Sequence, residues 1–280
     1  SKKVNVSAGC SGGQTATMLA SKMASDKDDL LGALTLMVRV LHPKQNDIEA
    51  GSLVSENGLA LAKHRAAKKG VIKGDDLARG FAWLRPNDLI WNYVINNYLL
   101  GQDPPAFDVL FWNADATNLS GALMGDFLTV FETLAFTKKG EVEMVDHKID
   151  LSKVTSDLFI LGGVTDHITP WKATYRSTQL FGSKDVTYVL SHSGHMQAIL
   201  NPPGNPKAKY YIQGDGEKKL PATADEWLKG TEEVAGSWWP YWIDWVQTRS
   251  GKKKKAPAKL GTKKYAPLDP APGQYVLESC

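Results

Sequence analysis

The stretch that decides the fold of this chain is Val4-Asn5-Val6-Ser7-Ala8-Gly9-Cys10-Ser11-Gly12-Gly13. Val4 to Ala8 predicts a short buried strand, and Gln14 to Ala24 has the composition of a helix. The small residues between them predict a tight strand-to-helix turn, typical of a nucleophile elbow with Cys10 in the place of serine. In such a turn the backbone N–H of Ser11 would point to a forming oxyanion, and the helix N-terminus would lower the pKa of the thiol. The alternative is a buried cysteine that serves only as a small hydrophobic residue.

The remaining elements predict a parallel α/β sheet, because strands and helices alternate along the chain. Further strands are predicted at Ala33 to Leu41, Asp157 to Gly162 and Val186 to Ser191, and a helix at Thr169 to Phe181 with Pro170 at its first position. A long, mostly helical and aromatic insertion lies between the second and third strands. After a loop rich in proline and glycine, Ala224 to Thr248 predicts a helix or a helix pair.

Composition excludes several classes of protein. Of the 280 residues 42% are hydrophobic, but no segment approaches the roughly 18 to 20 consecutive apolar residues of a membrane span. Cys10 and Cys280 are the only cysteines, which excludes a disulfide framework and a zinc site and makes a cytoplasmic setting the default. Seven of the 33 basic residues lie between Lys252 and Lys264, leaving 26 against 30 acidic residues elsewhere. The basic charge is therefore a local tail and not a nucleic-acid-binding face. No secretion signal is visible in the first residues, and we expect the chain to begin within a longer protein.

Two further residues that could carry chemistry each follow a predicted strand. Asp166 stands where open α/β sheets place ligand-handling groups, although a turn or helix-capping acid is the alternative. His195 follows the next strand, and the order nucleophile, acid, histidine is that of the α/β-hydrolase fold. His192 and His167 compete for the role of base, since sequence alone does not decide which imidazole reaches Cys10. We favour His195 because Gly194 lets its loop turn inward.

At these positions the chain resembles the poly(3-hydroxyalkanoate) synthases. The matching segments are Gly9 to Gly13, Phe81 to Tyr98, Phe111 to Thr117, Thr165 to Lys172, Ser193 to Lys207 and Ser237 to Trp242. The residues of the Ser193 to Lys207 segment are most similar to those of synthases that prefer monomers with medium-length side chains. Two positions depart from the family pattern: Ala8 replaces the first glycine of the elbow, and His42 stands where an aspartate is expected.

The resemblance implies an acyltransferase that polymerises (R)-3-hydroxyacyl-CoA into polyhydroxyalkanoate and releases CoA. It makes Cys10 the covalent nucleophile, His195 its general base, and Asp166 the acid that helps to activate the hydroxyl of the incoming monomer, with His167 as a supporting group. A thiol suits this reaction, because exchanging one thioester for another keeps the acyl group activated. The resemblance also implies no cofactor, a homodimer, and a cytoplasmic location on polyester granules, with the growing chain and the granule surface as partners.

The expected architecture is a partial α/β-hydrolase fold with a helical cap. We expect the core at residues 1–46 and 147–250, the cap at 47–146 and a tail at 251–280. An α/β hydrolase has several strands before the elbow, and only one precedes Cys10 here, so we expect about four strands, with one side of the first strand unpaired. Synthases of the family also have a sizeable N-terminal region that this sequence does not contain.

The insertion and the tryptophans each have an ordinary interpretation. A cap would keep water from the acyl intermediate, yet most of its aromatic residues are expected to form the cap's own core. They are Trp83, Trp91, Tyr93, Tyr98, Phe107, Phe111 and Trp112. The stripe of Trp238, Trp239, Trp242 and Trp245 favours core packing over a polymer-binding surface. Rival functions are a cysteine-type α/β hydrolase or thioesterase, and an inactive fragment that binds granules or a partner.

Overall fold

The computed structural model describes residues 3–44, 56–84, 86–104, 115–144, 146–214 and 219–278. The strands are β1 (Val4–Gly9), β2 (Leu31–Met37), β3 (Val71–Ile72), β4 (Leu119–Ser120), β5 (Glu143–Met144), β6 (His147–Lys148), β7 (Asp157–Gly163), β8 (Val186–Ser191), β9 (Lys209–Gln213) and β10 (Thr231–Ala235). The α-helices are α1 (Cys10–Ser25), α2 (Glu56–Lys69), α3 (Gly74–Leu84), α4 (Gly121–Thr133), α5 (Trp171–Ser177), α6 (His195–Leu200), α7 (Ala224–Lys229) and α8 (Trp239–Thr248). Two π-helical turns, Asn87–Trp91 and Val94–Leu99, follow α3.

In the described part of the chain, the main sheet has six strands in the order β1-β2-β7-β8-β9-β10. The first four are parallel, and β9 and β10 are antiparallel additions at the far side. Of the described strands, β2 alone pairs with β1, so β1 forms the edge of the sheet, as expected. The parallel strands are apolar along their length because helices cover both of their faces.

The prediction of about four strands was wrong, because β9 and β10 were not recognised. β10 reads Thr-Glu-Glu-Val-Ala and lies inside the segment that predicted a helix or helix pair, which is split instead into α7, β10 and α8. Glutamate favours helices over strands. Here pairing with β9 outweighs that preference, since all five residues of β10 have partners in β9.

Element ends also differ from the predicted ones. β2 ends at Met37 because Val38 turns into the left-handed region, with φ of 45°. The Val38 N–H still donates to the Leu161 carbonyl of β7 at 2.8 Å. α5 begins at Trp171, so Pro170 is its N-cap and not its first residue. The Thr169 hydroxyl, expected to open this helix, instead contacts the candidate site described below.

Two hydrophobic clusters fill the faces of the sheet. Alternation along β7 shows the division: Leu158 and Ile160 belong to the cluster with α1 and α5, whereas Phe159 and Leu161 belong to the cluster with α8. Trp238 and Trp245 are buried in the second cluster, and Trp239 and Trp242 pack against it. The core-packing interpretation of the tryptophan stripe is therefore confirmed.

The chain divides into two compact units: Ser1–Ser55 with Thr129–Gly251, and Glu56–Leu128 with Lys252–Cys280. These limits differ from the expected ones, because residues 129–146 belong to the first unit. Val130 and Phe136 are buried in its core, which explains the assignment. No helix in the described ranges is both long and apolar enough to cross a membrane.

The aromatic residues of the second unit are more exposed than expected. Trp83, Trp91, Tyr93 and Tyr98 are all exposed, and the side chain of Tyr98 retains 84% of its accessible surface. The prediction that such residues form the core of the insertion was wrong for these four, because their side chains are exposed on α3 (Trp83), in the π-helical turns (Trp91 and Tyr98) and between those turns (Tyr93). Phe107, Phe111 and Trp112 lie outside the described residues.

Candidate active site

Cys10 lies at the junction of β1 and α1. Gly9 is extended and acts as the N-cap, and Cys10 is the first helical residue, with φ of 47°. A residue other than glycine rarely adopts this left-handed conformation, and its strain is typical of functional turns. The predicted elbow is therefore present, and it holds the half-buried Cys10 at the carboxyl end of the sheet.

Asp166 and His195 lie together at the same edge. Asp166 is in the loop after β7, and His195 is the first residue of α6 after β8. Because β7 and β8 are parallel neighbours, their carboxyl ends bring the two loops side by side. The His195 Nδ1–H donates to Asp166 Oδ2 at 2.7 Å, and the Asp166 side chain is fully buried.

The Asp166 carboxylate is held by its own loop as well. Oδ1 accepts from the backbone N–H groups of Ile168 and Thr169 at 2.9 and 2.8 Å, and Oδ2 accepts from the Thr169 hydroxyl at 2.6 Å. Burial raises the pKa of Asp166, but the bonds to His195 and Thr169 outweigh burial and leave it below the ordinary value. Asp166 therefore has both roles considered for it: it stabilises a turn, as in the alternative interpretation, and it is also the hydrogen-bond partner of His195. The sequence analysis missed Thr169, although the Asp-x-x-Thr spacing is a signal for such a turn.

A second hydrogen bond connects His195 to Cys10. Burial raises the pKa of the thiol, but a hydrogen bond to His195 and the charges nearby bring it below its ordinary value. Burial lowers the pKa of His195, yet its bonds to Asp166 and Cys10 raise it to about 9. With Nδ1 engaged by Asp166, the other ring nitrogen is left for the sulfur. These opposite shifts of the two pKa values both favour the thiolate–imidazolium pair over the neutral thiol and imidazole.

The structure distinguishes among the three histidines by position. His192 is exposed, its backbone N–H donates to the Lys209 carbonyl of β9, and its imidazole acts electrostatically on Glu233 of β10. It is therefore on the side of the antiparallel strands, whereas His195 meets Cys10. His167 follows Asp166 directly and is half-buried, and its supporting role stays a prediction. The backbone of Ser11, the predicted oxyanion donor, hydrogen-bonds the Cys10 sulfur.

Two tryptophans hold the helix that carries His195. The indole N–H of Trp238 donates to the Ala198 carbonyl at 2.8 Å, and that of Trp239 to the Ile199 and Leu200 carbonyls at 3.1 and 3.2 Å. These carbonyls belong to the last turn of α6, where helical partners are missing. The tryptophan stripe therefore also fixes the position of α6, a role that the sequence analysis missed because helical spacing shows only which residues share a face.

Within the described ranges, no three His, Cys, Asp or Glu side chains gather as metal ligands do. The chemistry available to the site is that of a thiolate, an imidazolium and a buried carboxylate linked in series. Such a series can attack an acyl carbon, hold the acyl group on sulfur and move a proton to and from the leaving or entering group.

The chain belongs to the alpha/beta hydrolase fold family, whose sequence profile matches residues 1–202. The predicted fold class is thereby confirmed.

Within this fold family, the chain is similar to a group of curated polymerases. Poly(3-hydroxyalkanoate) polymerases 1 and 2 of Ectopseudomonas oleovorans are 44% and 45% identical over 99% and 98% of this chain. The poly(3-hydroxyalkanoate) polymerase subunit of Cupriavidus necator is 35% identical over 98% of it. The aligned parts make up 49%, 48% and 46% of those proteins, so the chain spans about half of their length. The similarity to this group of polymerases, stated from the sequence motifs, is confirmed.

Proposed function

We propose that this chain carries the acyl-transfer site of a poly(3-hydroxyalkanoate) polymerase, with Cys10 as nucleophile and His195 as its acid and base. The observation that carries the proposal is the linked series Cys10, His195 and Asp166 at one sheet edge. The substrate class, (R)-3-hydroxyacyl-CoA, is taken from the names of the curated relatives and the chemistry of the thiol.

In the first step the Cys10 thiolate attacks the thioester carbonyl of the acyl-CoA. The carbon–sulfur bond to CoA breaks, and the CoA sulfur leaves as a thiol with the proton of the His195 imidazolium. The acyl group is then a thioester of Cys10, and His195 is neutral. In this scheme the Ser11 N–H, which hydrogen-bonds the sulfur in the free site, moves to the negative charge on the tetrahedral oxygen once the sulfur has bonded to carbon.

In the second step the 3-hydroxyl of another monomer or of the growing chain attacks the acyl-cysteine. Neutral His195 takes the hydroxyl proton, an ester bond forms, and Cys10 leaves as a thiolate. The geometry supports an indirect role for Asp166, because its side chain is fully buried and Oδ2 already accepts from His195. In this scheme Asp166 orients the imidazole and stabilises its charge, and so assists hydroxyl activation through His195.

The experiment uses two substrates, 3-hydroxybutyryl-CoA and 3-hydroxydecanoyl-CoA, with CoA release and intact mass as readouts. We expect acyl adducts of increasing length on Cys10, and no adduct on the Cys10→Ala variant. CoA release with only free acid would favour the hydrolase, and an unmodified chain would contradict the proposal. The medium-chain preference predicts a faster reaction with the 3-hydroxydecanoyl substrate.

The partners in the proposal are the growing polyester, the granule surface and a second copy of the chain. Light scattering coupled to size exclusion measures whether the chain dimerises. Cosedimentation with purified granules, compared with polystyrene beads, tests binding to the polyester surface. A cytoplasmic, granule-associated location belongs to the same proposal.

A further inference from the structure

Arg39 is a half-buried cation, with its guanidinium Nε inaccessible to solvent, next to the turn that carries Cys10. It follows Val38, whose left-handed backbone turns the chain out of β2. The stem of Arg39 lies against the first turn of α1, because a Cβ built on Gly13 would lie only 3.1 Å from Arg39 Cβ and Cγ. Gly13 therefore makes room for the arginine. Cys10, Gly13 and Gln14 are three and four residues apart, so they share one face of the helix.

Among the described residues, the guanidinium has one hydrogen bond, which orients it, and no carboxylate as a counter-ion. Its Nη2 donates to Gln14 Oε1, whereas no described residue accepts from the buried Nε. Gln14 Nε2 is likewise buried without a partner in the described ranges. None of the ion pairs found there joins Arg39 to a carboxylate. Burial lowers the pKa of Arg39 to about 10, so the group remains a cation at neutral pH.

A guanidinium that is partly withdrawn from water and has no carboxylate beside it loses solvation, and a nearby negative charge offsets that loss. The group that acts on Arg39 electrostatically is the Cys10 sulfur, and Arg39 in turn lowers the pKa of that thiol. The charged groups that face the sulfur are thus His195 from α6 and Arg39 from the loop after β2.

We propose that Arg39 is a positioning residue, oriented by Gln14, whose permanent charge holds the Cys10 sulfur in its thiolate form. His195 exchanges a proton during the reaction and so loses its charge at each turnover. Arg39 keeps its charge throughout, so the thiolate remains a good leaving group when the hydroxyl attacks. The inference rests on the same nucleophile as the proposed function and deepens it.

The test is the pH dependence of Cys10 alkylation by iodoacetamide, followed by intact mass. In Arg39→Met we expect the midpoint of the profile to rise by about one pH unit, a tenfold change in ionisation. Arg39→Lys, which keeps the charge, should recover most of this shift. The matched control is Arg176→Gln, since Arg176 donates to the His42 carbonyl at 3.3 Å. It removes a cation from the same unit and should leave the midpoint unchanged.

A folded Arg39→Met variant with the midpoint of the unmodified protein would overturn the inference. If that variant does not fold, Gln14→Glu decides, because it keeps the arginine and neutralises it with a carboxylate at the same contact. A raised midpoint in Gln14→Glu supports the role, and an unchanged one refutes it. Alkylation needs no CoA substrate. A chain that does not react with acyl-CoA but shows the shifted alkylation midpoint would therefore contradict only the proposed function.

Discussion

His195 Nδ1 lies 2.7 Å from Asp166 Oδ2, and the side chains of the two residues are 10% and 0% exposed. This short bond selects the tautomer of the imidazole and turns its other nitrogen toward Cys10. The residues are 29 positions apart, and the parallel pairing of β7 with β8 brings them into contact.

Asp166→Asn should abolish most acyl transfer while preserving the fold. The amide can donate to Nδ1 and thereby favour the wrong tautomer, and it no longer stabilises the imidazolium. We expect the rate of Cys10 acylation to fall at least about 100-fold. Single-turnover CoA release measures it. Asp225→Asn is the control, because Asp225 forms an exposed ion pair with Lys172, and this variant should react normally. A slow control, or a fast Asp166→Asn variant, would contradict the assignment.

Thr169→Val should weaken the support of Asp166 without changing side-chain volume much. It removes the 2.6 Å bond to Oδ2, so the pKa of Asp166 should rise and the acylation rate should fall about tenfold. Thr133→Val is matched, because the Thr133 hydroxyl donates to the Thr129 carbonyl in its own helix. Acylation at the normal rate in Thr169→Val would show that the backbone N–H groups suffice to hold the carboxylate.

Trp238→Phe and Trp227→Phe separate packing from the positioning of α6. Both indoles are fully buried, but only Trp238 donates its N–H to an α6 carbonyl, and no described residue accepts from Trp227 Nε1. Each variant should lose about 1 to 3 kcal/mol of unfolding free energy in urea. Only Trp238→Phe should also slow acylation of Cys10. Equal acylation rates in the two variants would mean that the indole bond does not position His195.

The raised pKa of His195 predicts how stability depends on pH. Its folded value is about 9 and its ordinary value is 6.5, so the charged form contributes stability fully below about pH 6.5. That contribution declines as pH rises through about 9. The melting temperature should therefore fall between these values more steeply in the unmodified protein than in His195→Gln. If the melting temperature fell equally with pH in both proteins, folding would not stabilise the imidazolium.

The same shifts predict the pH profile of acylation. The rate should rise at low pH as the thiol ionises, below its ordinary pKa of 9.0, and fall above about pH 9 as His195 loses the proton needed by the leaving CoA. Initial rates of CoA release across pH 5 to 10 measure both limits. A rate that keeps rising beyond pH 10 would show that the imidazolium does not protonate the leaving group.

Several features could be predicted from the sequence because they depend on local chemistry. The elbow at Cys10 needs a strand, small flanking residues and a helix in immediate succession, and all three are visible in Val4 to Ala24. The parallel order follows from apolar strands separated by helices. Asp166 and His195 could be singled out because each directly follows such a strand, where parallel sheets gather their side chains.

Other features were decided only by the tertiary structure. β10 is a strand because β9 pairs with it, against the local preference of its glutamates. His195 rather than His192 meets the thiol because α6 begins at His195 and its last carbonyls are held by tryptophans about 40 residues away. In the sequence, Arg39 is an isolated charged residue among apolar ones. The packing of its side chain against Gly13 in the folded protein shows that its charge lies near Cys10. The sequence by itself determined the elbow and the fold class, since both follow from neighbouring residues. Packing between distant segments determined the partners of the thiol, because hydrogen bonds and charges act through space and not along the chain.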